Sequence, residues 1–325
     1  MKRIILFLSA IALTVTLAAC STVKPTDSRV VLTLDGEKVY YDYFRYIVLN
    51  SRADLDLGDE DYWKNNPDAE ATLRENATEV LRRNRAIEEL CKEYGIKLSS
   101  DEKKQIKEFI KSAKASYETG DMSFEEAIAK SYMTEYSLTY VQQITTLWSK
   151  LYTYVTSEAN GIIKAGDDAV KADIPVNFRR IRYVMISCDD AEERGEKRTL
   201  AETVWKKALS GEDFVSLVKE YGEDQTMASS PDDGYYYTVG GIVEKIQEEA
   251  EKLDENGGIS GVIDMQNAFF VIQRLPIDND YVEKNFETFR TDYAARLFNE
   301  MLDKKAAAVS VEIKDTDAYK ELLGD

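Results

Sequence analysis

From Val30 the chain alternates as Val-Val-Leu-Thr-Leu, breaks at Asp35-Gly36, and resumes as Glu-Lys-Val-Tyr. An Asp-Gly pair between two such runs predicts a β-hairpin. Asp54 to Asp68 is polar and acidic, with Pro67 at its end, and reads as a loop. From Ala71 the period becomes helical: Leu73, Ala77, Val80, Leu81, Ile87, Cys91 and Tyr94 share one stripe, and Gly95 stops it. Ser99-Ser100-Asp101-Glu102 is a capping box, followed by Ile106, Phe109, Ile110, Ala113 and Tyr117 at helical spacing. Ser123-Phe124-Glu125-Glu126 is a second box and opens a short helix through Ile128. Leu138, Val141, Ile144, Trp148, Leu151 and Val155 then mark a long amphipathic helix. Gly161 to Val176, with Gly166 and Pro175, reads as a linker with room for one short helix.

The pattern changes over Phe178 to Pro276. Arg180 to Ile186 is strand-like, and Gly211 to Asp224 is a helix ending in an acidic turn. Asp232-Asp233-Gly234-Tyr235-Tyr236 leads through Ile242-Val243-Glu244-Lys245-Ile246 to Gly258-Ile259-Ser260-Gly261-Val262 and Ala268 to Ile272. Beyond Pro276, Asp278-Asn279-Asp280 caps one last long helix with Val282, Phe286, Phe289, Tyr293, Leu297 and Met301 on its stripe. That stripe has no partner of its own, so the helical body before residue 176 is its expected partner, with the middle stretch inserted between.

The first residues belong to no fold. Lys2-Arg3 precedes a largely apolar run from Ile4 to Leu17, and Leu17-Ala18-Ala19-Cys20 has the small residues of a cleavage site. This resembles a bacterial lipobox, which implies acylation of Cys20 as the new N-terminus. No second long apolar run follows, so the expectation is a chain anchored to a membrane without spanning it. Asp and Glu total 60 against 42 Lys and Arg, a net charge of −18. That balance argues against a nucleic-acid partner, which needs basic patches. The 325 residues contain no histidine. Ser-His-Asp and Cys-His catalysis and histidine-ligated metal sites are thereby excluded. Asp59-Glu60-Asp61 and Asp278/Asp280 lack calcium-loop spacing, so no metal and no cofactor is expected. Cys91 and Cys188 form no Cys-x-x-Cys and read as buried free thiols, with a disulfide between them the alternative in an exported protein.

The Phe178–Pro276 stretch resembles the parvulin family of peptidyl-prolyl isomerases. Arg182-Tyr183-Val184-Met185 stands where that family has Arg-His-Ile-Leu, and Gly211-Glu212-Asp213-Phe214 opens the matching helix. Asp233-Gly234-Tyr235-Tyr236, Gly258-Ile259-Ser260 and Phe269-Phe270-Val271-Ile272 follow in the family's order. The resemblance implies site positions at Asp224, Tyr183 and Phe270, the last two standing where the family has histidines. It implies proline-binding positions at Asp233, Ile242 and Ile246, the two isoleucines on one helix face. Asp233 replaces an apolar residue there, and a buried carboxylate without a partner is costly. Tyr235-Tyr236-Tyr237 reads equally as a peptide platform, with Tyr236 a substrate-binding candidate, or as an ordinary aromatic strand.

Leu34-Asp35-Gly36-Glu37-Lys38-Val39 and the helices after it resemble the chaperone domain of SurA-like and PrsA-like foldases. The expected fold is therefore α+β: a signal peptide over 1–19, a tether over 20–29, and a helical chaperone domain over 30–176. A parvulin-like domain with a small antiparallel sheet occupies 177–276, and the 277–325 helix completes the chaperone domain. The implied function is an extracytoplasmic, Cys20-anchored folding factor for unfolded exported polypeptides, with weak isomerase activity and room for a homodimer through the helical domain. The alternatives are a holdase with a degenerate isomerase domain and, from another class, a solute-binding lipoprotein. The latter needs two lobes of repeating strand–helix units, which are missing outside the middle stretch.

Overall fold

In a computed structural model, residues 23–56, 61–117, 121–188, 190, 192–265 and 267–323 are described. The expected signal peptide over 1–19, Cys20 and Asp59-Glu60 lie outside them. The chain begins with β1 (Val30–Leu34), β2 (Glu37–Tyr40), α1 (Tyr41–Asp56), α2 (Tyr62–Asn65) and α3 (Ala69–Glu93). It continues with α4 (Ser100–Tyr117), α5 (Phe124–Ala129), α6 (Glu135–Thr156), α7 (Asp167–Asn177) and β3 (Phe178–Ser187). Next come α8 (Arg194–Leu209), α9 (Phe214–Tyr221), α10 (Gln225–Ser229), β4 (Tyr235–Thr238), α11 (Glu244–Glu251) and β5 (Ile263–Asp264). The last elements are β6 (Ala268–Leu275), α12 (Asn279–Lys284), α13 (Phe286–Ala307), β7 (Val311–Ile313) and α14 (Thr316–Leu323). Long helices with two small antiparallel sheets make the protein α+β.

Contacts divide the chain into two units, one running to Val155 and resuming at Asn299, the other spanning Thr156–Phe298. In the first, β1 and β2 form the expected hairpin, with Leu34 opposite Glu37. Asp35 and Gly36 both take positive φ, 48° and 83°, which a two-residue hairpin turn of this hand requires. The other edge of β1 pairs with β7, giving the order β2-β1-β7. Val31, Leu32 and Val39 pack on Phe44, Ile47 and Val48 of α1, on Leu73 and Leu81 of α3, and on Ala318 of α14. Each such side chain contributes roughly 1.5–3 kcal/mol by leaving water. Both capping boxes form: Ser99 with Glu102 at the start of α4, and Ser123 with Glu126 at the start of α5. Trp148 lies on the α6 stripe yet is 40% exposed and stacks on Tyr152.

Residues 26–29 are strapped to this unit. The buried carboxylate of Asp42 accepts from the backbone N–H groups of Thr26 (2.6 Å) and Asp27 (3.0 Å). Arg29 pairs with Asp27 and Glu321, and its guanidinium lies 4.1 Å from the Tyr41 ring centroid.

The second unit is built on the sheet β4-β3-β6-β5. Side chains alternate along β3. Val184 and Ile186, with Phe269 and Val271 of β6, pack under Ala201, Val204, Leu217 and Val218 of α8 and α9. Ile181, with Tyr237 and Ile272, packs against Ile246 and Ala250 of α11 and Ile263 of β5. Phe178 at the start of β3 packs with Val170 and Ile174 of α7 and with Val282 and Phe289 of α12 and α13.

Three expectations need correction. The polar stretch 54–68 is not all loop, since α1 runs to Asp56 and α2 occupies Tyr62–Asn65, where Trp63 donates to Asp56. The C-terminal stripe is not one helix, because it breaks at Asn285, whose φ and ψ are −112° and 21°. A strand and a further helix then follow α13. Phe289 and Val282 meet α7 and Phe178, so the start of the last helical segment belongs to the second unit.

Candidate functional site

Tyr183 sits on β3 beside Phe270 of β6, with ring centroids 5.7 Å apart. Its phenol donates to Asp224 Oδ2 at 2.8 Å. Backbone stitching places Asp224 there: the Glu223 N–H donates to the Met185 carbonyl (2.9 Å), and Glu223 Oε2 accepts from the Ser187 N–H (2.8 Å). These bonds draw the α9–α10 junction against β3. Asp224 is also the N-cap of α10, its Oδ1 accepting from Thr226 N–H (2.8 Å) and Met227 N–H (3.1 Å).

Burial opposes charge on Asp224, but the bonds from Tyr183, Met227 and Thr226 outweigh it and hold the carboxyl below its usual range. Burial, then the hydrogen bond and charge of Asp224, pushes the Tyr183 phenol well up. The pair is therefore a neutral phenol donating to a carboxylate at neutral pH. Phe270 adds an apolar edge and no hydrogen bond.

Around this pair the structure gathers only part of the expected set. Ile242 and Ile246 both pack in the cluster with Tyr183, Phe270 and Met265. They do not share a helix face, because α11 starts at Glu244 and Ile242 lies in the bend before it. Asp233 is exposed, so its carboxylate escapes the desolvation penalty expected from its position. Tyr236 faces away from Tyr183. It stacks on Tyr281 (4.5 Å, 4° between planes), packs edge-on to Phe289, and accepts from the Asp278 N–H (3.2 Å). Strand alternation instead presents its neighbours: Tyr235 is 41% exposed, edge-on to Tyr183 (6.4 Å) and stacked with Tyr237 (6.4 Å).

Sequence reading placed Tyr235 in the three-tyrosine platform but singled out Tyr236, and as functional residues it passed over Arg180 and Arg182, whose guanidinium groups hold the turn before Tyr235. The signal was available: both arginines share strand parity with Val184 and Ile186, and a cation on a buried face needs acceptors. Cys91 and Cys188 are buried and free. Among the described residues, no group of three or more carboxylate or thiol side chains is placed to hold a metal ion.

This geometry is that of a strand-centred module with an acidic position facing the first strand and an apolar cluster beside it. Residues 183–275 match the rotamase family model described as a PPIC-type PPIase domain. They are a parvulin-type isomerase domain. The match starts at Tyr183, within β3, and ends at Leu275, the last residue of β6. Among solved structures, the chain is similar to the foldase protein PrsA from Streptococcus pneumoniae at 18% identity, over 80% of this chain and 91% of that one, with a TM-score of 0.37. It is also similar to PrsA from Bacillus subtilis at 20% identity, over 90% and 98% of the two chains, with a TM-score of 0.29. No curated protein matches the sequence.

Proposed function

We propose that the protein is an extracytoplasmic folding factor, anchored by an acylated Cys20, that binds proline-containing segments of unfolded exported polypeptides and isomerises them slowly. The observation that carries this reading is the Tyr183–Asp224 hydrogen bond inside a parvulin-type domain. Rotation of an X-Pro bond breaks no covalent bond, so no nucleophile is required; the barrier is loss of amide resonance, about 18–20 kcal/mol for peptide bonds in general. A site lowers it with an apolar seat for the ring, little water, and polar groups matched to the twisted amide. Ile242, Ile246, Met265 and Phe270 supply the seat, and Tyr183 with Asp224 supplies the polar side. Phe270 leaves this network one member short, and that limits the rate. The domain limits 177–276, flanked by α7 and α12, remain the proposed extent of the module, with the helical unit as the holding surface.

The test is an isomerisation assay on proline tetrapeptides with the full chain. The expected wild-type rate is low, Asp224→Ala abolishes it, and the double change Tyr183→His/Phe270→His raises it about tenfold, equivalent to about 1.4 kcal/mol of barrier. A fast wild-type rate indifferent to Asp224→Ala would put the site elsewhere. The non-catalytic holdase is the second reading, favoured by the apolar Phe270 next to Tyr183. It predicts suppression of client aggregation with no isomerisation in either form.

A further inference from the structure

Arg180 lies on β3 and is 8% exposed. A buried guanidinium needs acceptors for its fork of donors. It finds three backbone carbonyls: Nε donates to Asp233 (2.9 Å), Nη2 to Asp232 (2.8 Å) and Nη1 to Pro276 (3.1 Å). The Asp278 carboxylate stands 3.8 Å from Nη1. Two residues along the strand, Arg182 donates to the carbonyls of Pro231 and Asp232 and to Gln273 Oε1.

These contacts orient a turn whose side chains point the other way. Its carbonyls are drawn inward to the arginines, while the Asp232 and Asp233 side chains are exposed. Gly234 then carries the chain into β4 at φ +69°, so close to β3 that a Cβ there would lie 2.8 Å from the Ile181 carbonyl. The ladder between β3 and β4 starts only at Tyr235, opposite Ile181. Residues 231–233 therefore depend on side-chain donors from β3 for their placement. The same guanidinium that donates to the Asp232 and Asp233 carbonyls donates to that of Pro276, where the chain leaves β6.

We infer that Arg180 is a positioning residue for X-Pro recognition: its guanidinium sets Asp233 and Tyr235 relative to the Tyr183–Asp224 pair and ties that turn to the exit at Pro276. The inference rests on the proposed reading of this domain as an X-Pro binder. Lysine cannot replace the residue, since one ammonium on a flexible stem lacks the planar fork that reaches three carbonyls.

The experiment measures binding of a fluorescently labelled Ala-Ala-Pro-Phe peptide to the full chain by anisotropy, with Arg180→Met, Arg180→Lys and Arg179→Met beside the wild type. Among the described residues Arg179 donates to the nearby Val176 and Phe178 carbonyls, and it serves as the control. The expected result is a Kd at least tenfold weaker for Arg180→Met, an intermediate loss for Arg180→Lys, and no change for Arg179→Met. In the isomerase assay the two Arg180 variants raise KM more than they lower kcat, and Arg179→Met changes neither. A second measurement needs no variant: saturating peptide shifts the Arg180 Nε–H resonance of the wild type and leaves that of Arg179 in place. A scaffolding role alone would lower Tm and leave the peptide Kd unchanged. Wild-type affinity retained by both Arg180 variants, or an unmoved Arg180 resonance, overturns the inference while leaving X-Pro binding intact. A wild-type chain that binds no proline peptide overturns the proposed function itself, and this inference with it.

Discussion

Asp224 does two jobs with its two oxygens, and they separate by substitution. Oδ1 caps α10, and Oδ2 receives the Tyr183 phenol. Asp224→Ala removes both and is expected to cost about 0.5–2 kcal/mol from the cap alone. Asp224→Asn keeps one carbonyl oxygen for the α10 cap and places an amide donor where Oδ2 accepted from Tyr183, so it is expected to cost less than Asp224→Ala in a denaturant titration at pH 7. The pH dependence follows from the depressed carboxyl. Its stabilisation is complete above the ordinary aspartate value of about 4 and is lost as pH falls through the lower folded value. Stability measured from pH 6 downward should therefore fall in the wild type and fall less in Asp224→Asn. Equal acid sensitivity in the two would remove Asp224 from the account. The residue identities at this site were legible in the sequence as positions, but their directions were not. Tyr236 and Tyr235 differ by one place in a strand, and only the pairing of Tyr235 with Ile181 decides which ring joins Tyr183.

β3 is the element on which the second unit depends, because its two faces and its first residue each carry a separate cluster. Phe178 is the link to the flanking helices. Its ring lies 5.0 Å from that of Phe289, which is 3% exposed although it falls outside the matched isomerase residues. Phe289→Ala should destabilise this unit by about 3–5 kcal/mol. A fragment limited to residues 177–276 should melt below one spanning 160–297. Equal melting temperatures would show that α7, α12 and the start of α13 add nothing. The caps at Ser99, Ser123 and Asp278 and the turn at Asp35-Gly36 were legible because each is decided by a few neighbouring residues. The β1–β7 pairing was not, since it joins opposite ends of the chain and Val311-Glu312-Ile313 is too short to show a period. The break at Asn285 was hidden for the opposite reason, because the apolar stripe runs on through it and spacing alone reports no interruption.

At the scale of the whole molecule, the insertion of one unit into another means that the first unit's sheet is completed only when β7 has been made. Removing β7 and α14 should strip a strand from β1 and the Ala318 and Leu323 contacts from the core. Among the described residues, no helix is long and apolar enough to cross a membrane. The proposed anchor at Cys20 has a direct check: the wild type should sediment with membranes and carry acyl mass on Cys20, and Cys20→Ala should not. A wild type free of acyl mass would refute the anchor and leave the isomerase domain untouched. If the anchor is present, the Asp42 strap fixes the protein's working radius. Because Asp42 holds the backbone at Thr26 and Asp27, Cys20 is only six residues along the chain from that strap, a reach of at most about 20 Å. The folded body then rides close to the lipid surface and searches across a plane, not through a volume. Polypeptides emerging nearby meet it before they can diffuse away, so its local concentration is set by anchor density and hardly at all by its own diffusion.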